Sequence, residues 1–172
     1  MESTKESQGE SKKESYDVFR DSPLRYLGYA NEVGESFRYQ FPSLVTPSYV
    51  LAFGYCAADS VSKGYDVYSS SNTNPTTTRL HDTVRATLDT LVWQSLASVM
   101  IPGATINLLV KATRAAVRRS PLLLPGLVQE WLPTATGLAS IPLIIHPIDH
   151  SVDYFMDHTF RILWPPAQEP PK

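Results

Sequence analysis

The chain has 172 residues, enough for one domain or for a short tail plus one compact unit. Its 15 Lys and Arg against 17 Asp and Glu give a formal net charge of −2, which excludes the broad basic field of a nucleic-acid-binding surface. The single cysteine, Cys56, excludes an internal disulfide and reads as a small buried apolar side chain rather than a redox centre.

A slightly negative mean hydropathy of −0.17 conceals an uneven chain. Three windows, 39–58, 90–110 and 131–148, contain no Asp, Glu, Lys or Arg. Built as helices, they reach lengths comparable with the ~30 Å hydrocarbon core of a bilayer. The central window, TLVWQSLASVMIPGATINLLV, also holds Gln94, Ser95, Ser98, Thr105 and Asn107, with Pro102-Gly103 at its middle. In membrane helices such residues sit where helices face one another, small ones for close approach and polar ones for hydrogen bonds. The same stretch in a soluble protein would be a kinked core helix. Fourteen prolines are better tolerated by membrane helices than by soluble ones.

Residues 1–16 are Ser, Glu and Lys with almost nothing apolar and predict a disordered tail. The N-terminus has no apolar core of a secretory signal, and its four Glu before Tyr16 do not suit a cleavable presequence, so entry into an organelle is expected to use an internal signal. Asp21-Ser22-Pro23 predicts a helix start, and Tyr26, Tyr29, Ala30, Val33 and Phe37 form an apolar stripe that predicts an amphipathic helix. Glu32 and Glu35, on its other faces, are expected to be solvated or at headgroup level; the alternative is an acid pair.

The first window should start its helix after Pro47 or kink there. Residues 59–66 resemble the opening of a calcium loop but fail at Val61 and Ser70, and are expected to be an ordinary loop. Residues 65–78 predict a polar connection. The next helix is expected to begin near Pro75 or Thr78, place Leu80, Val84, Leu88 and Leu91 on one face, pair Arg85 with Asp82 and Asp89, and run on into the second window.

Beyond Val110 come Lys111, Arg114, Arg118 and Arg119, with no acid until Glu130. Beside a span, these four form a candidate contact for anionic lipid and also bear on topology. Residues 1–38 and 111–130 hold six and four Lys or Arg; 59–89 and the segment after 148 hold three and two. This asymmetry places the N-terminus and the 111–130 loop on the side that is not translocated.

Around the end of the third window and just beyond it lie His146, Asp149, His150, Asp153, Asp157 and His158, the densest titratable cluster. It suggests metal ligation, but Pro147 interrupts it, and the plainer expectation is a new helix after Pro147 burying Val152, Phe155, Met156, Phe160 and Leu163. Trp164-Pro165-Pro166 should end that helix, leaving 167–172 as a Pro-rich tail. No phosphate loop, dinucleotide fingerprint or nucleophile elbow occurs, so no catalytic, cofactor or metal residue is assigned.

Three blocks resemble the mitochondrial fission process protein 1 family: RYLGYANEVGESFR at 25–38, DTLVWQSLASVMIPGATIN at 89–107, and IPLIIHPID at 141–149 followed by SVD at 151–153. Their order and spacing match over about 17–164. The resemblance implies a non-enzymatic integral protein of the mitochondrial inner membrane that takes part in organelle division. On it, the lipid beside the basic cluster would be cardiolipin, the partners fission machinery or other membrane proteins, and the N-terminus would face the matrix. The expected architecture is all-α: a small multi-pass helical membrane protein over 17–166 with flanking amphipathic helices. A small transporter or channel component is the alternative, with broken helices at Pro102-Gly103, Pro133 and Pro142 in its favour and the lack of a mid-span charge against it. A metal-dependent enzyme using the 146–158 cluster is the third reading.

Overall fold

In the computed structural model, residues 23–70, 76–120 and 125–165 are described. The predicted 1–16 and 167–172 tails and the Asp21-Ser22 cap lie outside them. The described chain is helical. A 3-10 turn, Pro23–Tyr29, leads into α1, Ala30–Ser36. A second 3-10 turn, Pro42–Leu44, leads into α2, Val45–Ser70. Three consecutive segments form one continuous helix, α3, Thr76–Arg119. Then come α4, Gly126–Asp157, and a single closing turn, α5, Phe160–Leu163.

The three long helices pack antiparallel in chain order. Cys56 meets Val99 between α2 and α3, and Val152 and Met156 meet Ala97 between α4 and α3. The short α1 is wedged among all three. Glycines make the close approaches possible. A methyl group at Gly137 on α4 would come within 2.6 Å of Ser36 Oγ and 2.8 Å of Val110 Cγ2, so α1, α3 and α4 meet there with no room for a side chain. Such small-residue contacts let helices associate without large apolar side chains between them. Gly137→Val is therefore expected to destabilise the bundle by roughly 1–3 kcal/mol through overpacking, read as a lower melting temperature of the detergent-purified protein.

Several expectations change. Residues 59–66 are not a loop: α2 continues through them to Ser70. Asp59 and Ser60 are buried against α3, so the segment has the tertiary partner it needs to stay helical. α2 also starts before Pro47, which occupies the first turn, where a missing N–H is harmless. α4 does not restart after Pro147 but runs through Pro133, Pro142 and Pro147. Each proline deletes one backbone bond, and packing against α1 and α3 holds the helix across the gaps. In α3, Pro102 is accommodated differently: the preceding Ser95–Met100 opens into a π-helix. This wider turn fits a residue that lacks an N–H. As expected, α3 carries the polar helix straight into the central window.

Among the described residues α3 alone is long and apolar enough to cross a membrane, judged by length and composition. The 39–58 window loses its first residues to the Phe37–Phe41 turn and the second 3-10 turn. The 131–148 window is diluted by its prolines, Thr134, Thr136, Ser140 and His146.

Candidate functional site

The orientation of α1 decides the interior. The helix was expected to be amphipathic, and it packs among the long helices with its polar side innermost. Val33 is 42 % and Tyr26 67 % exposed, whereas Asn31, Glu32, Glu35 and Ser36 are buried. The two carboxylates are therefore neither solvated nor at a surface. The bundle's interior is rich in polar side chains, with Asp59, Ser60, Gln94, Thr134 and Ser140 also buried.

Glu35 is well partnered. Arg38 grips it with two hydrogen bonds, Nε to Oε2 at 2.7 Å and Nη2 to Oε1 at 2.9 Å. Tyr49 donates to Oε1 at 3.1 Å and Asn107 donates to Oε2 at 2.8 Å. Burial pushes this carboxyl up, but the hydrogen bonds from Arg38, Asn107 and Tyr49 and the Arg38 charge outweigh it and hold Glu35 below the usual carboxylate range. Asn31 Nδ2 donates to Val99 O at 3.0 Å, so α1 hydrogen-bonds into the π-helical turn itself.

Glu32 is the opposite case. It is fully buried, and neither carboxylate oxygen has a donor within the protein. Burial pushes its carboxyl up to about 8. It lines a cavity of about 680 Å³ together with Asp59, Asp89, Asp149 and Asp153. Tyr29, Tyr55 and Trp93 are among the aromatic side chains of its wall. Gln94 donates to Asp59 across the α2–α3 contact. At the rim, Arg161 forks onto Asp89, with Nε to Oδ1 at 3.0 Å and Nη2 to Oδ2 at 3.1 Å, and also reaches Asp157 at 2.7 Å and Asp153 at 3.4 Å. These carboxylates raise the Arg161 guanidinium further above its ordinary value. The expected Arg85 pairing is replaced in part, since Arg85 Nε donates to Trp164 O at 2.7 Å.

The 146–158 cluster does not act as a unit. Asp149 and Asp153 turn to the cavity, while His146, His150 and His158 are exposed. His158 lies against the Tyr154 ring, with centroids 4.1 Å apart. Among the described residues no three His, Cys, Asp or Glu side chains converge as metal ligands would. Of the residues expected to be buried after Pro147, Val152 and Met156 are buried, whereas Phe155 and Leu163 are 55 % and 85 % exposed.

The basic residues gather at the opposite end. Lys111, Arg118 and Arg119 are exposed on the last turns of α3, and the Arg114 guanidinium lies 3.7 Å from the centre of the Tyr39 ring. Arg114 and Arg118 border a groove of about 310 Å³ with Tyr39, Glu130 and Pro133. Gln40 Nε2 donates to Glu130 O at 2.8 Å and Gln40 Oε1 accepts from Thr134 Oγ1 at 2.7 Å, so the 38–41 turn and the start of α4 share this end.

A profile of the family described as mitochondrial 18 kDa protein matches residues 17–156, most of the chain. The chain belongs to this family. Relatives called mitochondrial fission process protein 1 agree. The one from Caenorhabditis elegans is 46 % identical over 86 % of this chain and 89 % of its own length. The one from Homo sapiens is 45 % identical over 90 % and 92 %, and the one from Danio rerio 42 % over 86 % and 88 %. No solved structure matches. The family match ends at 156, so the Arg161 clamp and α5 lie beyond it, whereas Glu32, Glu35, Asp59, Asp89, Asp149 and Asp153 all lie within it.

The sequence reading missed Glu32, Glu35 and Asp59 as interior groups. The available signal was Asn31-Glu32-Val33-Gly34-Glu35-Ser36 itself: small and polar residues on the face that must meet the glycine-bearing helices.

Proposed function

We propose that this chain is a multi-pass integral protein of the mitochondrial inner membrane that takes part in mitochondrial fission without catalysing a reaction. The relatives' name supports the division role. The observation that carries the membrane reading is the inverted burial pattern. Val50, Leu108, Leu127 and Leu143 are about 70 % exposed or more, on all three long helices, while carboxylates and amides share the interior with side chains such as Val99, Ile106 and Met156. In water this arrangement leaves apolar surface unburied; in lipid it is the favourable one. Only 33 % of the most apolar stretch of α3 is buried in the bundle, unlike the core helix of a soluble protein. Nothing in the sequence hydrolyses nucleotide, so the mechanical work of division would come from a partner. Carbonate extraction and protease protection on isolated mitochondria test the reading. The expected result is a chain retained in the membrane pellet with its N-terminus on the matrix side; release into the supernatant would overturn it.

Lys111, Arg114, Arg118 and Arg119 are the lipid contact in this reading, with cardiolipin as the ligand. Charges near an anionic surface contribute about 1 kcal/mol each, so neutralising one should weaken cardiolipin capture by the detergent-solubilised protein about fivefold. Unchanged capture after reversing Lys111, Arg114 and Arg118 together would remove the assignment.

A transport role is the second reading, favoured by one observation: α1 brings Glu32 and Glu35 into the middle of a bundle whose long apolar windows contain no charge. Solute flux in reconstituted vesicles separates it from the first.

A further inference from the structure

We propose that His81 is a proton-operated latch on α5, holding the closing turn down while its ring is neutral and releasing it when the ring becomes an imidazolium. The inference is independent of the division reading. Trp164, the residue that closes α5, is tied to the polar part of α3 at two points. Its indole Nε1 donates to His81 Nε2 at 2.7 Å, and its carbonyl accepts from Arg85 Nε at 2.7 Å. An indole N–H can only donate, so His81 Nε2 is the acceptor and the ring proton sits on Nδ1, 3.4 Å from Asp82 Oδ1. The His81 side chain is 40 % exposed, so a second proton can reach it from solvent.

That second proton goes to Nε2 and sets one N–H against another. The bond is then lost rather than weakened, because neither nitrogen has a lone pair to offer. Asp82 steadies the charged ring where it stands but does not restore the bond. The new charge also falls four residues before Arg85, a spacing at which like charges on a helix repel. Arg85 is the other tie to Trp164, so one proton disturbs both. A third tie is Arg161 on α5 itself, which forks onto Asp89 of α3 and reaches Asp153 and Asp157 of α4. The remaining charged groups of this corner are Arg79, stacked on the Tyr68 ring, and Lys63 and Asp66 on the stretch of α2 around Gly64, which meets Thr83 and Thr87. Arg161 also lines the cavity that Glu32 lines, so a turn freed at Trp164 is a part of the cavity wall that can move.

The test is NMR of the full-length protein in neutral detergent with isotope-labelled tryptophan, followed from about pH 8 to about pH 5.5, the range in which an imidazole gains its charge. Trp164→Phe identifies the Trp164 indole signal among those of the three tryptophans. In the wild type that signal is expected to move from a hydrogen-bonded to a water-exposed position as pH falls. His81→Gln keeps an acceptor at every pH and should hold the bonded position throughout. His81→Lys carries charge without an acceptor and should show the exposed position throughout. Both variants keep Arg161 and every carboxylate, so a difference between them belongs to residue 81, and melting curves confirm that they remain folded. A wild-type signal that does not move, an equal movement in His81→Gln, or a bonded position in His81→Lys at the alkaline end would each overturn the proposal.

Discussion

Arg38→Met is expected to destabilise the purified protein by roughly 2–4 kcal/mol, one of the two largest effects of a single substitution in this fold. The Glu35 side chain is 3 % exposed, and Arg38, at 31 %, is its ion-pair partner, with a close fork of two bonds. Without Arg38 the carboxylate keeps Asn107 and Tyr49 as donors but loses its compensating charge in a site shielded from water. Breaking a buried pair from one side typically costs more than removing both members, because the surviving charge stays behind. The double variant Arg38→Met with Glu35→Gln should accordingly recover much of the loss, and a double-mutant cycle on melting temperatures measures the difference. The pH dependence has a definite sign. Glu35 titrates below its unfolded value, so its contribution is present above the ordinary carboxylate range and is lost as pH falls through the folded value. Equal melting of Arg38→Met and wild type would mean that the fork contributes nothing to α1's position.

Charge-free windows of bilayer length, a polar N-terminal stretch and 3.6-residue periodicity were enough to read an all-helical chain, and the run from Leu80 into the central window was legible from spacing alone. What spacing did not convey was sign. An apolar stripe such as Tyr26, Tyr29, Val33 and Phe37 points to the core only if the core is apolar. Here the core of the bundle includes Asn31, Glu32, Glu35 and Ser36, while Tyr26 and Val33 are exposed and Tyr29 and Phe37 are half-buried. Which face goes in depends on what the neighbouring helices offer: Asn107 and Tyr49 as donors, Gly103 and Gly137 as space. Those partners are 14 to 72 residues away for Glu35, beyond any local window. The same holds for Asp59. Read alone it looks like a helix stop; with Gln94 across from it, it is an interior residue of a 26-residue helix. The prolines of α4 misled for a related reason. Pro147 breaks an isolated helix, but not one whose flanks are held by Gly137 against α1 and by Val152 and Met156 against α3.

Glu32→Gln should raise stability, the reverse of what removing a buried charged residue usually does. The Glu32 carboxyl has no donor, and burial moves it from the ordinary 4.5 up to about 8. Below about 4.5 the group is protonated in both folded and unfolded chains and makes no difference. Between that value and about 8 the folded chain retains a proton that the unfolded chain has released, so its contribution to stability falls as pH rises. Above about 8 the full penalty is present. At neutral pH it amounts to roughly 2–3 kcal/mol, after allowance for relaxation around a cavity-lining group. Gln keeps the shape and is neutral at every pH, which removes the penalty but also the acid. In a chain of this size the gain corresponds to about 5–10 °C in melting temperature. The difference between variant and wild type, followed from pH 5 to pH 8.5 in one detergent, isolates Glu32 from every other titrating group: it should be small at pH 5 and grow steadily to the alkaline end. A constant offset across that range would mean that Glu32 is not the group whose ionisation strains the bundle. A growing one would show that the fold retains a destabilising acid at the closed end of its cavity. Natural sequences hold such strain where a site needs it rather than where a helix does.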